Sequence, residues 1–297
     1  MPTEVTLALG GGGARGLSHI GVIRALETAG VRIAGVAGTS IGAMIGGLYC
    51  ARKLDKGEEY VRSLSWTKVL THLDPSLPRS GIFGGKRLAS TLKELCGDLD
   101  FADLEISFCA VATDLGHGGE VRIQEGSVLE AMRASMAIPG VFTPSRLGNS
   151  WLVDGGVSNP VPVQAARTLA GSQVIAVNVN STESRPSHST ISEIKRALEN
   201  EAVEGGQKIL KRMERFWKRG AKQDEGERMP GIIPIMGDSI AHLMGHLAHY
   251  QMKVDQPEIL VEPKLGRVNL FDFHKAAVLI EEGRRAMEDI LARGALR

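Results

Sequence analysis

Ser40 is the first residue whose surroundings indicate chemistry. It lies in Gly38-Thr39-Ser40-Ile41-Gly42, which has the G-x-S-x-G pattern of a nucleophile elbow. An apolar run precedes this turn and a helix-like pattern follows it, so the hydroxyl is expected at a helix N-terminus, where backbone N–H groups favour an anion. The flanking Gly38 and Gly42 leave room for so tight a turn. The pattern is also compatible with a glycine-rich helix start in which Ser40 is only a capping residue.

A second glycine-rich turn, GGGGARG at residues 10–16, admits three interpretations. Its G-x-G-x-x-G spacing matches the dinucleotide-binding fingerprint, but the next strand does not end in the Asp or Glu that would hold the ribose. The turn also resembles a phosphate-binding P-loop, except that Leu17 occupies the lysine position. The third interpretation is an oxyanion hole, in which backbone N–H groups around Gly11, Gly12 and Gly13 bind an oxygen anion. A tight strand–helix connection is the structural alternative.

A serine nucleophile needs a base, and Asp154 is the best-placed candidate. It ends the strand-like run 151–154 and is followed by Gly155 and Gly156. An acid at the carboxyl end of a strand, beside glycines that allow close backbone approach, suits a site in an α/β sheet. An aspartate in an ordinary Asp-Gly turn is an equally acceptable interpretation of these residues alone.

The eight histidines offer no comparable base. His242, His246 and His249 recur at helical spacing, but no Glu accompanies them in an H-E-x-x-H arrangement. We therefore interpret them as one face of a helix and predict no metal site. His19 falls inside a predicted helix, and His274 falls in the first turn of another.

The elements around these residues follow the pattern of an α/β protein. Apolar runs at 5–9 and 33–37 predict two buried strands, each followed by a helix, so the strands should be parallel neighbours with a right-handed crossover. Further strands are predicted at 106–112, 121–123, 151–154, 174–179 and 259–261. Further helices are predicted at 86–96, 128–137 and 160–170, and a C-terminal helix is predicted after Asp272. We expect a single domain spanning residues 1–297.

Residues from about 185 to 240 differ in composition and predict a helical insertion before the last strand. Within it, residues 208–222 read KILKRMERFWKRGAK, a basic stretch whose apolar residues share one helical face. Such a helix suits the surface of an anionic membrane. Packing on the protein's own core or on a second subunit, which would give a homo-oligomer, explains the same pattern equally well. The apolar segment 231–236 is predicted to be a loop that could deepen membrane contact.

Composition excludes several classes of protein. The 297 residues carry a formal net charge of +1, so no global attraction to nucleic acid is expected. Three cysteines in no metal-binding spacing are typical of reduced thiols in a cytosolic protein. No window approaches the ~18 to 20 apolar residues needed to cross a bilayer. We therefore expect a cytoplasmic protein, with contact at the inner membrane face as a further possibility.

Several blocks of the sequence resemble the patatin-like phospholipases, in the order and context found in that family. They are the glycine loop GGGGARG, the elbow GTSIG, the stretches ATDL, ASMAIPGVFTP and DGGVSNPVPV, and, for the bacterial branch, DFHKAA. The similarity covers about residues 4–180 and 255–290, so the insertion lies outside it.

The resemblance implies a three-layer α/β fold with a mostly parallel sheet and helices on both faces. It also implies hydrolysis of lipid acyl esters by a Ser-Asp dyad, with Ser40 as nucleophile, Asp154 as base and no cofactor. The loop of Gly11, Gly12 and Gly13 becomes the oxyanion hole, with Arg15 at the family's basic position. The remaining motif glycines support these turns: Gly16, Gly38, Gly42, Gly155 and Gly156. A nucleotide-binding protein and a non-catalytic lipid-binding protein remain the alternatives at this point.

Overall fold

The computed structural model describes residues 4–65, 68, 85–171, 173–180 and 232–296, without the side chains of residues 86 and 232–238. Within these residues one mixed sheet has the strand order β5-β6-β3-β2-β1-β7-β8, with β4 paired to β3. The strands are β1 (Glu4–Leu9), β2 (Arg32–Thr39), β3 (Ser107–Asp114), β4 (Glu120–Ile123), β5 (Ser145–Leu147), β6 (Ser150–Asp154), β7 (Gln173–Val177) and β8 (Ile259–Val261). Strands β1, β2, β3, β7 and β8 are parallel, and the other three are antiparallel to their neighbours.

Helices cover both faces of this sheet. They are α1 (Ser18–Thr28), α2 (Ile41–Cys50), α3 (Leu54–Arg62), α4 (Lys86–Cys96), α5 (Val128–Ser135), α6 (Val163–Arg167), α7 (Ile232–Asp255) and α8 (Ala276–Ala292). Alternate residues of β1 face opposite sides, so Val5, Leu7 and Leu9 join the larger apolar core while Ala8 joins the smaller one. Helices α1, α2, α5 and α8 pack on the larger core, and α6 and α7 on the smaller. The predicted three-layer α/β fold is thereby confirmed.

The sheet brings the two candidate catalytic residues to neighbouring points of β3. Thr39, which precedes Ser40, lies opposite Val111 in the parallel pairing of β2 with β3. Asp154, the last residue of antiparallel β6, lies opposite Ala112. Residues far apart in sequence therefore end on adjacent positions of one strand.

Most predicted elements form close to their expected bounds, and the differences have local causes. The helix expected at 160–170 occupies only Val163–Arg167. It begins late because Pro162 disfavours a helical conformation of the preceding Val161. The helix expected to reach residue 137 ends at Ser135. Strand β5 and helix α3 were not predicted, since both are short and carry few apolar residues at regular spacing.

The insertion is described only from residue 232 onwards. Helix α7 begins at Ile232, so the prediction that residues 231–236 form a loop is wrong for residues 232–236. Pro234 is compatible with a helix there because the N–H groups of a first turn have no intrahelical acceptor. The basic stretch 208–222 lies outside the described residues.

Candidate active site

Ser40 sits at the junction of β2 and α2 in a conformation that few side chains adopt. Its φ is 56° and its ψ is −123°, although positive φ is uncommon for residues other than glycine. The turn is tight enough that a methyl group added at Gly38 would lie 2.4 Å from the Gly42 oxygen, and one added at Gly42 would lie 2.1 Å from the Leu9 oxygen. Backbone strain of this kind is concentrated at functional sites. Here the strained residue is Ser40, which immediately precedes helix α2.

Asp154 lies beside Ser40 in a buried environment. It is 2% exposed, and its Oδ1 accepts a hydrogen bond from the Gly156 N–H at 2.8 Å. Burial raises the pKa of this carboxyl to about 6, against the opposing effects of the Ser40 hydroxyl and the Gly156 N–H. The Oδ2 atom has no hydrogen bond of standard geometry among the described residues. Such catalytic hydrogen bonds commonly tighten only when substrate binds.

The two glycines after Asp154 allow other groups to approach the carboxylate closely. A methyl group at Gly155 would lie 2.1 Å from the Val111 carbonyl oxygen. One at Gly156 would lie 2.0 Å from the Met244 Cε and 3.1 Å from Asp154 Oδ1. Met244, on helix α7, therefore covers the aspartate turn and helps to keep water from it.

One of the three N–H groups predicted as oxyanion donors in the glycine loop is already bound within the protein. The Gly11 N–H, predicted as an oxyanion donor, instead donates to the Pro160 carbonyl oxygen at 2.9 Å. The Gly11 carbonyl accepts from Asn180 Nδ2 at 2.5 Å. Because the C=O and N–H of a trans peptide point in opposite directions, the Gly12 N–H is turned away from Asn180. Within the described part of the chain, the N–H groups of Gly12 and Gly13 have no acceptor.

Arg15 supports this loop from inside the protein. It is 6% exposed, its Nε donates to the Gly12 carbonyl at 3.3 Å, and burial lowers its pKa to about 10. A methyl group at Gly16 would lie 2.1 Å from Ile41 Cγ2, so this glycine lets the loop pack against α2. Both residues therefore hold the loop in place beside Ser40.

His19 is a structural residue. It is fully buried, its Nε2 lies 2.7 Å from the Gly10 carbonyl oxygen, and burial lowers its pKa to about 4. Since Nε2 is occupied by a backbone carbonyl, the ring supports the strand end that leads into the glycine loop and is unsuited to accept a proton from Ser40.

An apolar cavity of about 120 Å³ opens next to Ser40. Its walls come from α2, α3, α4, the segment after α5 and the loop before α8. Among the lining side chains are Met44, Leu92, Met136, Ile138, Phe142 and Leu270. The cavity suits an apolar group held next to the Ser40 hydroxyl.

Sequence reasoning did not find several residues that complete the site. Ser135 accepts a hydrogen bond from the Ser40 N–H, Asn180 binds the Gly11 carbonyl, and the Leu270 carbonyl accepts from the Ala14 N–H. Leu270 also packs on Gly13, where an added methyl group would lie 2.4 Å from its Cδ1. These residues carry no motif of their own, and only the stretch ASMAIPGVFTP, which contains Ser135, gave a signal.

No group of three or more potential metal ligands is present in the described residues. His242, His246 and His249 lie on α7 with exposed side chains. All three cysteines are buried, and none forms a disulfide. In the ranges that the structure covers, no helix combines the length and the apolar character needed to span a bilayer.

Comparison with known proteins adds independent findings. The sequence model of the family described as "Patatin-like phospholipase" matches residues 7–167, more than half of the chain. An uncharacterised NTE family protein of Mycobacterium tuberculosis is 40% identical over 183 residues, covering 62% of this chain and 51% of that protein. The human patatin-like phospholipase domain-containing protein 6 is 36% identical over 186 residues, 60% of this chain and 14% of that protein. The neuropathy target esterase sws of Drosophila melanogaster is 32% identical over 188 residues, 61% of this chain and 13% of that protein.

The chain thus spans about half the length of its mycobacterial relative and a much smaller share of the animal ones. The matched family segment contains both motif turns, Ser40 and Asp154. Met244 and Leu270, which lie beside them, come from the chain beyond that segment.

Proposed function

Because the chain belongs to the patatin-like phospholipase family, we propose that it is a lipid acyl-ester hydrolase in which Ser40 is the nucleophile and Asp154 its base. The observation that carries the proposal is the serine at a strained strand–helix turn, beside a buried carboxylate and an apolar cavity. The family membership supports a lipid hydrolase, whereas the dyad and the ester chemistry are proposals that the family resemblance implies and that the geometry supports.

The dyad works in two steps. Asp154 accepts the proton of the Ser40 hydroxyl as the serine oxygen attacks the ester carbonyl, and it then gives this proton to the alcohol oxygen as the ester C–O bond breaks, which leaves an acyl-enzyme and an ionised Asp154. Water then attacks the acyl-enzyme ester while Asp154 accepts its proton, and Asp154 returns that proton to the Ser40 oxygen as the bond to the fatty acid breaks. A carboxylate with a pKa of about 6 is a stronger base than an exposed aspartate, yet it is ionised at neutral pH.

The Gly12 and Gly13 N–H groups are the donors that we assign to the oxyanion. They lie at the start of a short helical turn, Gly13–Leu17, and Gly13 lines the same cavity as Ser40 and Ile41, the first residue of α2. Fixed backbone donors of this kind stabilise the negative charge that develops on the carbonyl oxygen. The apolar cavity takes the acyl chain, which places the ester carbonyl at Ser40.

A nucleotide-binding role for the glycine loop is disfavoured by the same geometry. Two peptide groups of the loop are bound to Pro160 and Asn180, and Leu17, at the lysine position of a P-loop, is fully buried. A phosphate group would therefore meet no cation from that position. Membrane binding by residues 208–222 stays a prediction, as do a cytoplasmic location and a homo-oligomer.

The test is covalent labelling by a fluorophosphonate probe followed by peptide mass spectrometry. Labelling should occur on Ser40 in the wild type and in Ser150→Ala, a control that removes a half-buried serine at the far end of β6. It should be absent in Ser40→Ala. Unlabelled wild-type protein, or label on a different serine, would contradict the proposed function.

A further inference from the structure

Ser135 makes a contact that the two-residue dyad does not account for. Its hydroxyl oxygen accepts a hydrogen bond from the Ser40 N–H at 2.8 Å and donates one to the Val111 carbonyl oxygen at 2.5 Å. The residue is fully buried at the last position of α5. A helical serine commonly returns its hydroxyl bond to the carbonyl four residues earlier, whereas this one reaches across to β3 and to the nucleophile.

The same short segment also binds the backbone of Asp154, the other member of the dyad. Two residues after Ser135, the Ala137 carbonyl accepts the Asp154 N–H at 2.9 Å. Between them, Met136 lines the apolar cavity. The three residues therefore contact the backbones of Ser40 and Asp154 and one wall of the acyl site.

We propose that Ser135–Met136–Ala137 is a clamp that fixes the spacing between Ser40 and Asp154, with Ser135 as its positioning residue. The inference rests on the proposed hydrolase dyad. Ser135 does not touch the reacting atoms and acts through the backbone of the nucleophile.

The clamp is needed because the backbone of Ser40 is strained. A residue with a φ of 56° persists only where its surroundings over-determine it, and the Ser135 hydroxyl binds the N–H at that residue. The Val111 carbonyl oxygen contacts both sides of the site. It accepts the Ser135 hydroxyl, and Gly155, next to Asp154, packs directly against it. The hydroxyl thus ties the elbow to the β3 position on which the aspartate turn rests.

The clamp also sets the composition of the oxyanion hole. Since the Ser40 N–H is bound by Ser135, it is directed away from the substrate oxygen. The donors that remain for the negative charge are the N–H groups of the glycine loop and those of the α2 N-terminus, which have no intrahelical acceptor.

The experiment compares Ser135→Ala with Ser135→Thr, which retains the hydroxyl, and with Thr6→Val as a matched control. Thr6 is buried and donates its hydroxyl bond to the Ala170 carbonyl. Hydrolysis of a short-chain nitrophenyl ester gives kcat and KM, and amide hydrogen exchange at Ser40 reports the clamp without any need for turnover. Ser135→Cys, whose thiol is a weak acceptor, replaces Ser135→Ala if that variant does not fold.

We expect Ser135→Ala to lower kcat at least about tenfold, to change KM less than about threefold because the cavity is intact, and to make the Ser40 amide exchange faster. Ser135→Thr should recover most of the kcat, and Thr6→Val should leave kcat and the Ser40 amide unchanged. Equal protection of the Ser40 amide in wild type and Ser135→Ala would overturn the clamp. So would faster exchange with an unchanged kcat. A wild type that hydrolyses no ester would sink the proposed function, while the exchange data would still decide whether Ser135 holds Ser40.

Discussion

Two aspartates end neighbouring strands of this sheet, and their surroundings give them opposite properties. Asp154 ends β6 and is buried, so its pKa is raised to about 6. Asp114 ends β3, and its carboxylate accepts hydrogen bonds from the Ser150 hydroxyl and from the N–H groups of His117 and Gly116, which lower its pKa to about 2. Both precede glycine-rich turns in the sequence. The comparison shows that desolvation and the number of donors, not position at a strand end, determine which carboxylate can act as a base.

The largest expected difference is in catalysis. Asp154→Asn should lower kcat on a nitrophenyl ester by at least about 10³-fold, because the base is lost while the shape is kept. Asp114→Asn should change kcat less than about threefold. Ser40→Ala should be as inactive as Asp154→Asn, and the double variant no worse than either, since the two residues act as a unit. Near-wild-type turnover by Asp154→Asn would remove it from the dyad.

The glycine loop should be nearly as sensitive. In Gly12→Ala the added methyl group would lie 2.5 Å from Val179 Cγ2, and the loop must shift to relieve the contact. Displacing an oxyanion donor costs about 10² to 10³ in kcat. Gly119→Ala, where the added methyl group meets no atom within 4 Å, is the matched control and should keep full activity. A folded Gly12→Ala protein as active as the control would exclude the loop from catalysis.

The two carboxylates also predict the pH profile. Because the base must be ionised, kcat/KM should rise about tenfold per pH unit below pH 6 and level off above it. Asp114 is ionised throughout this range, so Asp114→Asn should leave the acidic limb in place. An acidic limb that ends near pH 4 would show that the base is not a desolvated carboxyl.

The smallest expected effect is on stability, and its sign differs between the two residues. A raised pKa means that the folded state disfavours the ionised form, so Asp154 destabilises the fold above pH 6 and not below pH 3.8. Asp154→Asn should therefore raise the free energy of unfolding by at most about 3 kcal/mol at pH 8, and by little at pH 4. Asp114 has a lowered pKa and stabilises the fold at neutral pH, so Asp114→Asn should lower the unfolding free energy at pH 8. Urea unfolding at the two pH values measures both. A destabilised Asp154→Asn at pH 8 would contradict the desolvated state of the carboxyl.

The sequence was informative where local geometry constrains residue type. The turns that carry Ser40 and Asp154 could be located because they need glycines at fixed offsets after apolar strands, whereas the pairing of the two residues as a dyad was implied by the family resemblance and stays a proposal. The alternation of apolar runs and helix-like patterns predicted an α/β protein, and the resemblance to the patatin-like phospholipases implied its three layers. Short elements such as β5 and the proline-shortened α6 were missed or misjudged, because packing and the Val161–Pro162 conformation decide them.

The contacts that tune the site could not be predicted. The bond from Ser40 to Ser135 spans 95 residues, and the bond from Asn180 to Gly11 spans 169. A sequence motif gives no information on which carbonyl occupies the Gly11 N–H, so three donors were expected where the structure leaves two. The difference in pKa between Asp154 and Asp114 could not be predicted either, because burial is a property of the assembled fold.

The most direct test of the dyad is the rate at which a fluorophosphonate labels Ser40 between pH 4 and pH 8. In wild type and in Asp114→Asn the rate should rise through about pH 6 and reach the same plateau. In Asp154→Asn it should stay near the background rate of Ser40→Ala at every pH. Equal labelling rates in wild type and Asp154→Asn would show that Ser40 is activated without Asp154, and the central claim would be wrong.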